Sequence, residues 1–450
     1  MSSPPLISDT IAALSTPSGT GAIAVLRVSG PQSKAVAETV FKGPALKPRT
    51  ALFGKLTAAD GTVIDEVLLT FFQEPASYTG EDTLEISCHG GVLVSRRVLE
   101  RLLQAGARAA GPGEFTQRAF LNGKLDLTQA EAVMDVISAQ TDRALHSARR
   151  QLDGVLGRTV LDLRDDLLGI LAHVEAYIDF PEEDIDPDTG EALKGRISRL
   201  QARMEALLAT ADQGRLLREG VRTVLAGAPN AGKSSLLNRL LGFERAIVSD
   251  RPGTTRDTIE EVISLQGFPL RLVDTAGLRG HTEDGIEQAG MDRTRAQMAE
   301  ADLIVEVVDA GQPPGPPLSL AEGMEEKWVR VLHKSDLPAH PGWLGAEGVR
   351  VSSVTGEGLT DLTDRLIQII TLGGAAFEQT EVAVNARHQA ALESARTALG
   401  AALAEFQAGA SAEFVALDLR LALEALGGIV GRVDTEDLLG VIFSQFCIGK

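Results

Sequence analysis

Gly227-Ala-Pro-Asn-Ala-Gly-Lys-Ser-Ser235 is the stretch that decides the fold of this 450-residue chain. It follows the apolar run Val221-Arg-Thr-Val-Leu225 and precedes Leu236-Leu-Asn-Arg-Leu-Leu241, an order that predicts a strand, a glycine-rich loop and a helix. In that setting Gly227 and Gly232 let backbone N–H groups turn inward around a polyphosphate, and the helix adds its positive dipole end. The stretch therefore predicts a P-loop that binds a nucleoside triphosphate.

The polar residues of this loop predict specific roles at the phosphates. Lys233 supplies a point charge, and the hydroxyl of Ser234 is placed for Mg²⁺. The amide oxygen of Asn230 could hold a monovalent cation beside the phosphates, where an arginine finger would otherwise place positive charge. We expect the nucleotide to contact Asn230, Ala231, Gly232, Lys233, Ser234 and Ser235.

Companion motifs follow the P-loop in the order expected of a GTPase. Thr255, in Gly253-Thr-Thr-Arg-Asp257, suits a switch residue that closes over Mg²⁺. Asp274-Thr275-Ala276-Gly277 follows the apolar run Leu270-Arg-Leu-Val273 and suits a carboxylate near Mg²⁺ with a backbone N–H for the γ-phosphate. The alternative interpretation, a glycine turn between a strand and a helix that binds no nucleotide, does not explain why these motifs follow it.

Two motifs nearer the C-terminus predict the base. His333-Lys334-Ser-Asp336 follows the strand-like Trp328-Val-Arg-Val-Leu332, and Ser352-Ser353-Val354 follows Val349-Arg-Val351. A carboxylate at Asp336 can accept hydrogen bonds from N1–H and the exocyclic amine of guanine, which adenine does not offer. Guanine is therefore the predicted base.

The sequence departs from the usual GTPase pattern at two places. GTPases usually carry Asn-Lys-x-Asp where this chain has His333, and an imidazole does not donate and accept from one amide group as asparagine does. Ras-like enzymes position water with a glutamine where Leu278 stands, and leucine does not orient water. Hydrolysis must then use a group from a partner or another residue of this segment; the local candidates are Glu283, Asp284 and Glu287.

Composition narrows the class of protein. The chain is 44% hydrophobic and 23% charged, as in globular proteins, and no apolar run approaches the roughly 18 residues of a membrane span. Two cysteines do not make a disulfide framework, and the N-terminus has no export-signal pattern, so we expect a cytoplasmic protein. A net charge of −19 argues against a surface that attracts nucleic acid generally. A basic excess between Arg96 and Arg150 leaves open a local nucleic-acid surface or ordinary solvated helix faces.

Hydrophobic periodicity predicts several domains. Residues before about 120 mix strand and helix patterns, at 21–28, 66–72, 83–88 and 92–105, and indicate an α+β or α/β unit. A capping box at Thr128-Gln-Ala-Glu131 and three- and four-residue steps from Leu127 to Val155 predict a long helix, followed by helices over 159–178 and up to 217. Helical periodicity returns from about Asn385. The simplest topology is one helical domain interrupted by an inserted nucleotide domain, because each helical half alone lacks a full core.

The whole chain resembles the bacterial and organellar MnmE (TrmE) family of tRNA-modification GTPases. Besides the nucleotide motifs, the resemblance rests on Leu26-Arg-Val-Ser-Gly30, Tyr78-Thr-Gly-Glu-Asp82, His89-Gly-Gly91, Pro112-Gly-Glu-Phe115, Arg118-Ala-Phe-Leu-Asn122, Lys124-Leu-Asp-Leu127 and Phe443-Ser-Gln-Phe-Cys-Ile-Gly-Lys450. It implies a multidomain α+β and α/β protein: an N-terminal tetrahydrofolate-binding-like α+β domain that forms a homodimer, an all-α helical domain and an inserted Ras-like P-loop α/β G domain. The implied segments are 1–121 for the N-terminal domain, 122–217 and 376–450 for the helical domain, and 218–375 for the G domain.

The resemblance also implies ligands. A one-carbon folate, 5-formyl- or methylenetetrahydrofolate, would be held by Arg27, Glu85, Lys124 and Lys450. K⁺ would be held by Asn230, Ser249, Arg251 and Thr254, and Mg²⁺ by Ser234 and Thr255. Further GTP contacts would come from Asp250, Pro252, Gly253, Asp274, Thr275, Ala276, Gly277, His333, Lys334, Asp336, Ser352, Ser353 and Val354. Catalysis would involve Glu287 together with Lys233 and Asn230, while Cys447 is either a functional thiol or a buried, unreactive one.

Two functions follow as alternatives. In the first, which the resemblance implies, the chain works with the FAD-binding flavoprotein MnmG (GidA) in a heterotetramer and does not bind a membrane. Together they add an aminomethyl or carboxymethylaminomethyl group to C5 of the wobble uridine of certain tRNAs. In the second, the chain is a GTP-switched assembly factor for the ribosome or another RNA. Such factors usually append an RNA-binding module with aromatic stacking positions, whereas aromatic residues make up only 4% of this chain.

Overall fold

The computed structural model describes residues 9–179, 191–243, 246–247, 261–273, 297–316, 318, 323–372, 383–431, 439, 442–443 and 446–449. Within them the chain forms two compact units, one of residues 1–134 and 427–450 and one of residues 135–426. None of the described helices combines the length and the apolar character needed to cross a membrane. The four predicted segment boundaries stay a prediction.

The first unit contains a seven-stranded sheet with the order β3-β4-β5-β6-β2-β1-β7. Helices α1 and α2 cover one face, and Phe115 of α3 packs against Ile11 and Ala13 of β1 on the other. Strands β4 and β6 alternate buried with more exposed residues, as expected where one face of a sheet is covered more fully than the other. Leu26, Leu69 and Ile86 pack beneath Val98 and Leu102 of the long helix α2. The elements are β1 Ile11–Leu14, β2 Ile23–Ser29, α1 Ser33–Val40, β3 Phe41–Lys42, β4 Ala51–Thr57, β5 Val63–Phe72, β6 Thr83–His89, α2 Val92–Gln104, β7 Arg108–Ala109, α3 Glu114–Leu121 and α4 Leu127–Ser138.

An ion cluster surrounds the buried side chain of Arg118 in this unit. The guanidinium of Arg118, 1% exposed, lies 2.8 Å from Asp9, 3.0 Å from Glu114 and 3.3 Å from Glu81. Although burial raises it, hydrogen bonds from Arg108 and Arg118 hold the pKa of Glu114 below its ordinary value. Because Asp9, Glu81 and Arg118 are far apart in the chain, the cluster joins three separate segments of the unit.

The long helix predicted from Leu127 to Val155 is wrong, because two local signals break it. Thr141 caps a new helix by accepting a hydrogen bond from the Ala144 N–H, and Gly154 adopts φ +78° where the next helix begins. The capping box also lies earlier than predicted: the Asp126 carboxylate accepts from the Gln129 N–H, and Gln129 Oε1 accepts from the Asp126 N–H.

In the second unit, helices that precede the second sheet in sequence pack against helices that follow it. Helix α7 contacts α11, although the nucleotide-binding segment separates them in sequence. The predicted third helix is two helices, α7 and α8. The elements are α5 Asp142–Leu152, α6 Val155–Asp179, α7 Glu191–Leu208, α8 Ala211–Glu219, α11 Ala386–Gln407 and α12 Ala412–Val430. This packing supports the expectation that two helical segments share one core.

The second sheet has the order β14-β13-β12-β8-β11-β10-β9, in which β11, β8, β12, β13 and β14 are parallel. The central strand β8 is buried almost throughout, as is typical of a parallel sheet covered on both faces. Its elements are β8 Val221–Ala226, α9 Lys233–Phe243, β9 Ala246–Ile247, β10 Glu261–Leu265, β11 Phe268–Val273, β12 Leu303–Asp309, β13 Trp328–His333, β14 Val349–Val351 and α10 Leu359–Leu372. The loops after β8, β13 and β14 therefore meet at one edge, where open α/β sheets bind ligands.

Candidate functional site

The loop after β8 is shaped by two close approaches of its backbone. At Gly227, with φ +140°, an added Cβ would lie 2.1 Å from the Val307 carbonyl oxygen. At Gly232, with φ +105°, an added Cβ would lie 2.1 Å from Nδ1 of His333. Between them Asn230 adopts φ +62°. A side chain at either glycine would push the loop off the sheet edge, so these positions require glycine.

Lys233 begins helix α9 and folds its ammonium back over this loop. Its Nζ donates to the carbonyl oxygens of Gly227 at 2.7 Å and Ala228 at 2.9 Å. Burial lowers the pKa of Lys233. The side chains of Asn230 and Ser234 are exposed on the same loop and helix start. The predicted phosphate-binding residues are therefore brought together. The ammonium of Lys233 lies at the same loop as the backbone N–H groups and the N-terminus of α9.

The loop after β13 is tied to this phosphate loop. Lys334, with φ +60°, donates to Asp309 Oδ2 at 2.6 Å and to the carbonyl oxygen of Asn230 at 3.2 Å. Although burial raises it, the hydrogen bonds from Lys334 and the Gly311 N–H hold the pKa of Asp309 below its ordinary value. Asp309 was missed by the sequence prediction, and its position at the carboxyl end of β12 is the signal that could have found it.

Asp336 and the loop after β14 form the other side of the site. Asp336 is exposed, and its Oδ1 accepts from the Ser352 hydroxyl at 2.6 Å. Ser352 Oγ in turn accepts from the N–H groups of Val354 and Thr355 at 3.2 and 3.1 Å. The acceptor predicted for guanine is thus held by a hydroxyl whose own position is fixed by the backbone.

Several predicted site residues lie outside the described part of the chain. These are Ser249, Asp250, Arg251, Pro252, Gly253, Thr254, Thr255, Asp274, Thr275, Ala276, Gly277, Leu278, Glu283, Asp284, Glu287 and Lys450. The complete Mg²⁺ and K⁺ sets and the water-positioning residue therefore stay predictions.

A second candidate site lies on the sheet of the first unit. Arg27 on β2 pairs across strands with Glu85 on β6, and the guanidinium donates to Glu85 Oε1 at 2.8 and 3.2 Å. The Arg27 side chain is 13% exposed and that of Glu85 35%. The guanidinium stacks 5.0 Å from the Tyr78 ring centroid and 5.7 Å from that of Phe115. Within the described residues, Nη1 of Arg27 is buried without a hydrogen-bond partner.

Lys124 and the C-terminal tail approach the same region of the first unit. Lys124 Nζ donates to the Pro75 carbonyl oxygen at 3.0 Å, on the loop that carries Tyr78. In the tail, the carbonyl oxygen of Gly449 accepts from Ser15 Oγ at 3.1 Å, directly after β1, the neighbour of the strand that carries Arg27. The structure therefore brings the tail that ends in Lys450 to the sheet of Arg27.

Cys447 lies on this tail and is exposed, so the buried-thiol alternative is wrong. Its carbonyl oxygen accepts from the Gly113 N–H at 3.4 Å, while Ile448 forms a β-bridge with Pro112. Tyr78 and Phe115 lie within sequence motifs named above, but the motifs do not predict the contact of these residues with Arg27. Only the tertiary fold places these two rings together.

Comparison with known proteins gives matches over nearly all of the chain. A family model described as the MnmE helical domain matches residues 127–447, and one described as the GTP-binding protein TrmE N-terminus matches residues 10–124. A tRNA modification GTPase MnmE from Akkermansia muciniphila is 52% identical over 98% of this chain and 99% of its own length. Proteins of the same name from Opitutus terrae and Geobacter metallireducens are 48% and 44% identical over 99% of this chain and all of their own length.

Proposed function

The chain belongs to the MnmE family and is a GTP-hydrolysing enzyme of tRNA modification, and from that premise we propose a more detailed activity. It is a potassium-dependent GTPase that acts with the flavoprotein MnmG (GidA), which carries FAD, on the wobble uridine of certain tRNAs. Together they add an aminomethyl or carboxymethylaminomethyl group at C5 with a folate one-carbon donor. The GTPase activity in this proposal rests on one observation: the loops after β8, β13 and β14 lie at the same edge of the sheet.

GTP is proposed to lie across this edge of an inserted Ras-like G domain. The phosphates lie on the loop from Asn230 to Ser235, and guanine lies at Asp336. Mg²⁺ takes Ser234 and Thr255; the exposed hydroxyl of Ser234 at the start of α9 fits an oxygen ligand for that ion. The other proposed GTP contacts are the residues named above in the segments 249–255, 274–277, 334–336 and 352–354, while His333 lies beside them with its ring against the protein.

Potassium is proposed to bind beside the phosphates through Asn230, Ser249, Arg251 and Thr254. The support from described residues is Asn230, whose left-handed backbone and exposed amide leave its oxygen free to face the phosphates. The ion would add positive charge where phosphate charge develops in the transition state, while Glu287 orients the attacking water. Because a carboxylate is repelled by the γ-phosphate, we propose that Glu287 acts through a second water.

We expect GTP turnover to depend on the choice of alkali ion. Replacing K⁺ by Na⁺ at equal ionic strength should lower kcat by about tenfold or more, because the smaller ion does not fill the same oxygen cage. The measurement is steady-state GTP hydrolysis by the full chain, with its oligomeric state recorded by light scattering in each buffer. Equal turnover in both buffers would remove the potassium proposal while leaving GTP hydrolysis in place.

The folate is proposed to bind at Arg27, Glu85, Lys124 and Lys450. The support is the buried Nη1 of Arg27, which has a hydrogen-bond donor to offer, and the Glu85 carboxylate beside it, which can accept from a pterin's N–H groups. The rings of Tyr78 and Phe115 make this region apolar enough to hold a flat heterocycle. Bound folate would supply the one-carbon unit, and these residues would hold and orient it.

Substitutions at this pair should weaken folate binding. Arg27→Ala and Glu85→Gln should each raise the Kd for 5-formyltetrahydrofolate by about tenfold or more, because each leaves a charge-assisted hydrogen bond unmade. Isothermal titration of the full-length protein measures this. Arg96→Ala is the matched control, since Arg96 and Glu100 form an exposed ion pair, 3.6 Å apart, on α2. Unchanged affinity in both site variants would contradict the folate proposal.

A homodimer is proposed to form through the first unit. Strand alternation places Ile23, Phe53 and Leu68 on the same sheet face as Arg27 and Glu85, away from α2. These three side chains are 64%, 62% and 48% exposed. An apolar group of this kind beside a polar site suits contact with a second copy. MnmG and tRNA would join the dimer in the cytoplasm, and Cys447 remains a proposed functional thiol at the tail.

Co-purification distinguishes this proposal from the assembly-factor alternative. Recovery of the tagged full chain with a flavoprotein and tRNA supports the tRNA modification role. Recovery with ribosomal subunits and without flavin absorbance favours a GTP-switched assembly factor.

A further inference from the structure

The imidazole of His333 lies between two loops of the nucleotide site. Its Nε2 is 2.6 Å from Ser353 Oγ, on the loop after β14. Its Nδ1 edge lies against the phosphate loop, where a Cβ on Gly232 would be 2.1 Å away. The residue is only 3% exposed. One ring therefore spans from the loop that surrounds the phosphates to the loop beside the base.

Both edges of this ring are occupied by protein. Nδ1 is buried and makes no hydrogen bond of ordinary geometry within the described residues, so neither ring nitrogen is directed towards open space. Asp336, in contrast, is exposed, and its carboxylate is held by Ser352. His333, which replaces the usual asparagine, is thus placed to hold loops together, whereas the carboxylate of Asp336, three residues further on, is placed to contact a base.

The surroundings of the ring favour its neutral form. Burial lowers the pKa of His333 below its ordinary value of 6.5. The charge of Lys334 also disfavours the imidazolium, whereas the backbone of Ala231 and the carboxylates of Asp309 and Asp336 oppose the shift. Since burial and the charge of Lys334 disfavour the imidazolium, protonation would destabilise this buried position of the ring and weaken the joint between the loops.

We propose that His333 is a positioning residue that joins the phosphate loop to the Ser352–Val354 loop and sets affinity for the whole nucleotide, while Asp336 alone of the two selects the base. This inference rests on the proposed binding of GTP at this edge. It differs from a direct base contact in one measurable respect. A residue that reads guanine changes the preference between bases, but a residue that positions loops weakens all bases equally.

The experiment measures Kd for GTP and for ITP, which lacks the exocyclic amine, on the full chain with Mg²⁺ and K⁺. His333→Ala should weaken both nucleotides by about tenfold, the worth of one buried hydrogen bond, and should raise KM with little change in kcat. Asp336→Asn is the contrast, because an amide no longer accepts from both N1–H and the amine, and its GTP to ITP ratio should fall. A changed ratio in His333→Ala, or no loss of affinity, would overturn the proposal.

Two further readouts separate positioning from general instability. Ser353→Ala, on a half-buried loop position, removes the partner hydroxyl without disturbing the core, and it should match His333→Ala and add little to it in the double variant. Because the folded pKa is lowered, the joint is intact above 6.5 and is lost as pH falls through the lowered pKa. As the pH falls, wild type should therefore lose more GTP affinity than the His333→Asn variant loses. That variant has no titrating side chain at this position, and protonation of the nucleotide affects both proteins equally.

Additive losses in the double variant, or identical pH profiles of wild type and His333→Asn, would overturn the proposal. Failure of the proposed function itself is distinguishable, because wild-type protein would then bind neither GTP nor ITP. Binding by wild type together with unchanged His333→Ala and Ser353→Ala variants removes only the positioning role.

Discussion

Lys233→Ala should raise the Kd for GTP by at least about 100-fold, the loss expected when one partner of a buried charged contact is removed. The ammonium already lies over the phosphate loop on the carbonyl oxygens of Gly227 and Ala228, and burial lowers its pKa. A triphosphate offers this cation far stronger acceptors than two neutral carbonyl groups do. Removing it leaves the phosphates with backbone N–H groups and metal ions only. Titration of the full chain with a fluorescent GTP analogue measures the change.

A lysine of the same unit provides the control for this prediction. Lys194 on α7 pairs with Glu191 at 3.0 Å and contributes nothing to the nucleotide edge, so Lys194→Ala should bind GTP as wild type does. Thermal unfolding of both variants shows whether the fold is kept. GTP turnover retained by a folded Lys233→Ala protein would contradict the assignment of the phosphate loop.

The strand, loop and helix around Lys233 could be predicted because their signals are local. The apolar run ends one residue before β8 does, and α9, which begins at Lys233, contains the predicted helical run 236–241. The long helix over 127–155 was mispredicted because apolar residues keep their spacing across the breaks, so that α4, α5 and α6 continue one pattern. Thr141 and Gly154 decide the breaks through a cap and a left-handed backbone.

The sequence predicted individual residues of the site but not the contacts between its loops. Residue types alone indicated Lys233 and Asp336, since a phosphate needs a cation and guanine needs an acceptor. The contact of His333 with Gly232 depends on two strands that are neighbours only through β12. Likewise the pairing of Arg27 with Glu85 follows from the register of β2 against β6, which sequence patterns do not specify. Contacts between distant segments are therefore where the structure adds most.

Glu287→Ala should lower kcat for GTP by about 100- to 1,000-fold, the usual contribution of a group that activates or orients water. Leu278 stands where Ras-like enzymes use a glutamine, so the chain must orient water by another group. Because Glu287 is proposed to act in the transition state and not in ground-state binding, Kd for GTP should change by less than about threefold. Single-turnover hydrolysis in K⁺, with Kd measured in parallel, tests both expectations.

Neighbouring carboxylates of the same segment test whether Glu287 has this role alone. Glu283→Ala and Asp284→Ala remove the same charge from the same stretch of chain, so a loss caused only by altered electrostatics should occur in all three variants. A loss confined to Glu287→Ala points to a specific position beside the attacking water. Equal losses of binding and turnover in that variant would instead mean that Glu287 supports the fold of the segment, and the hydrolytic group would have to come from a partner.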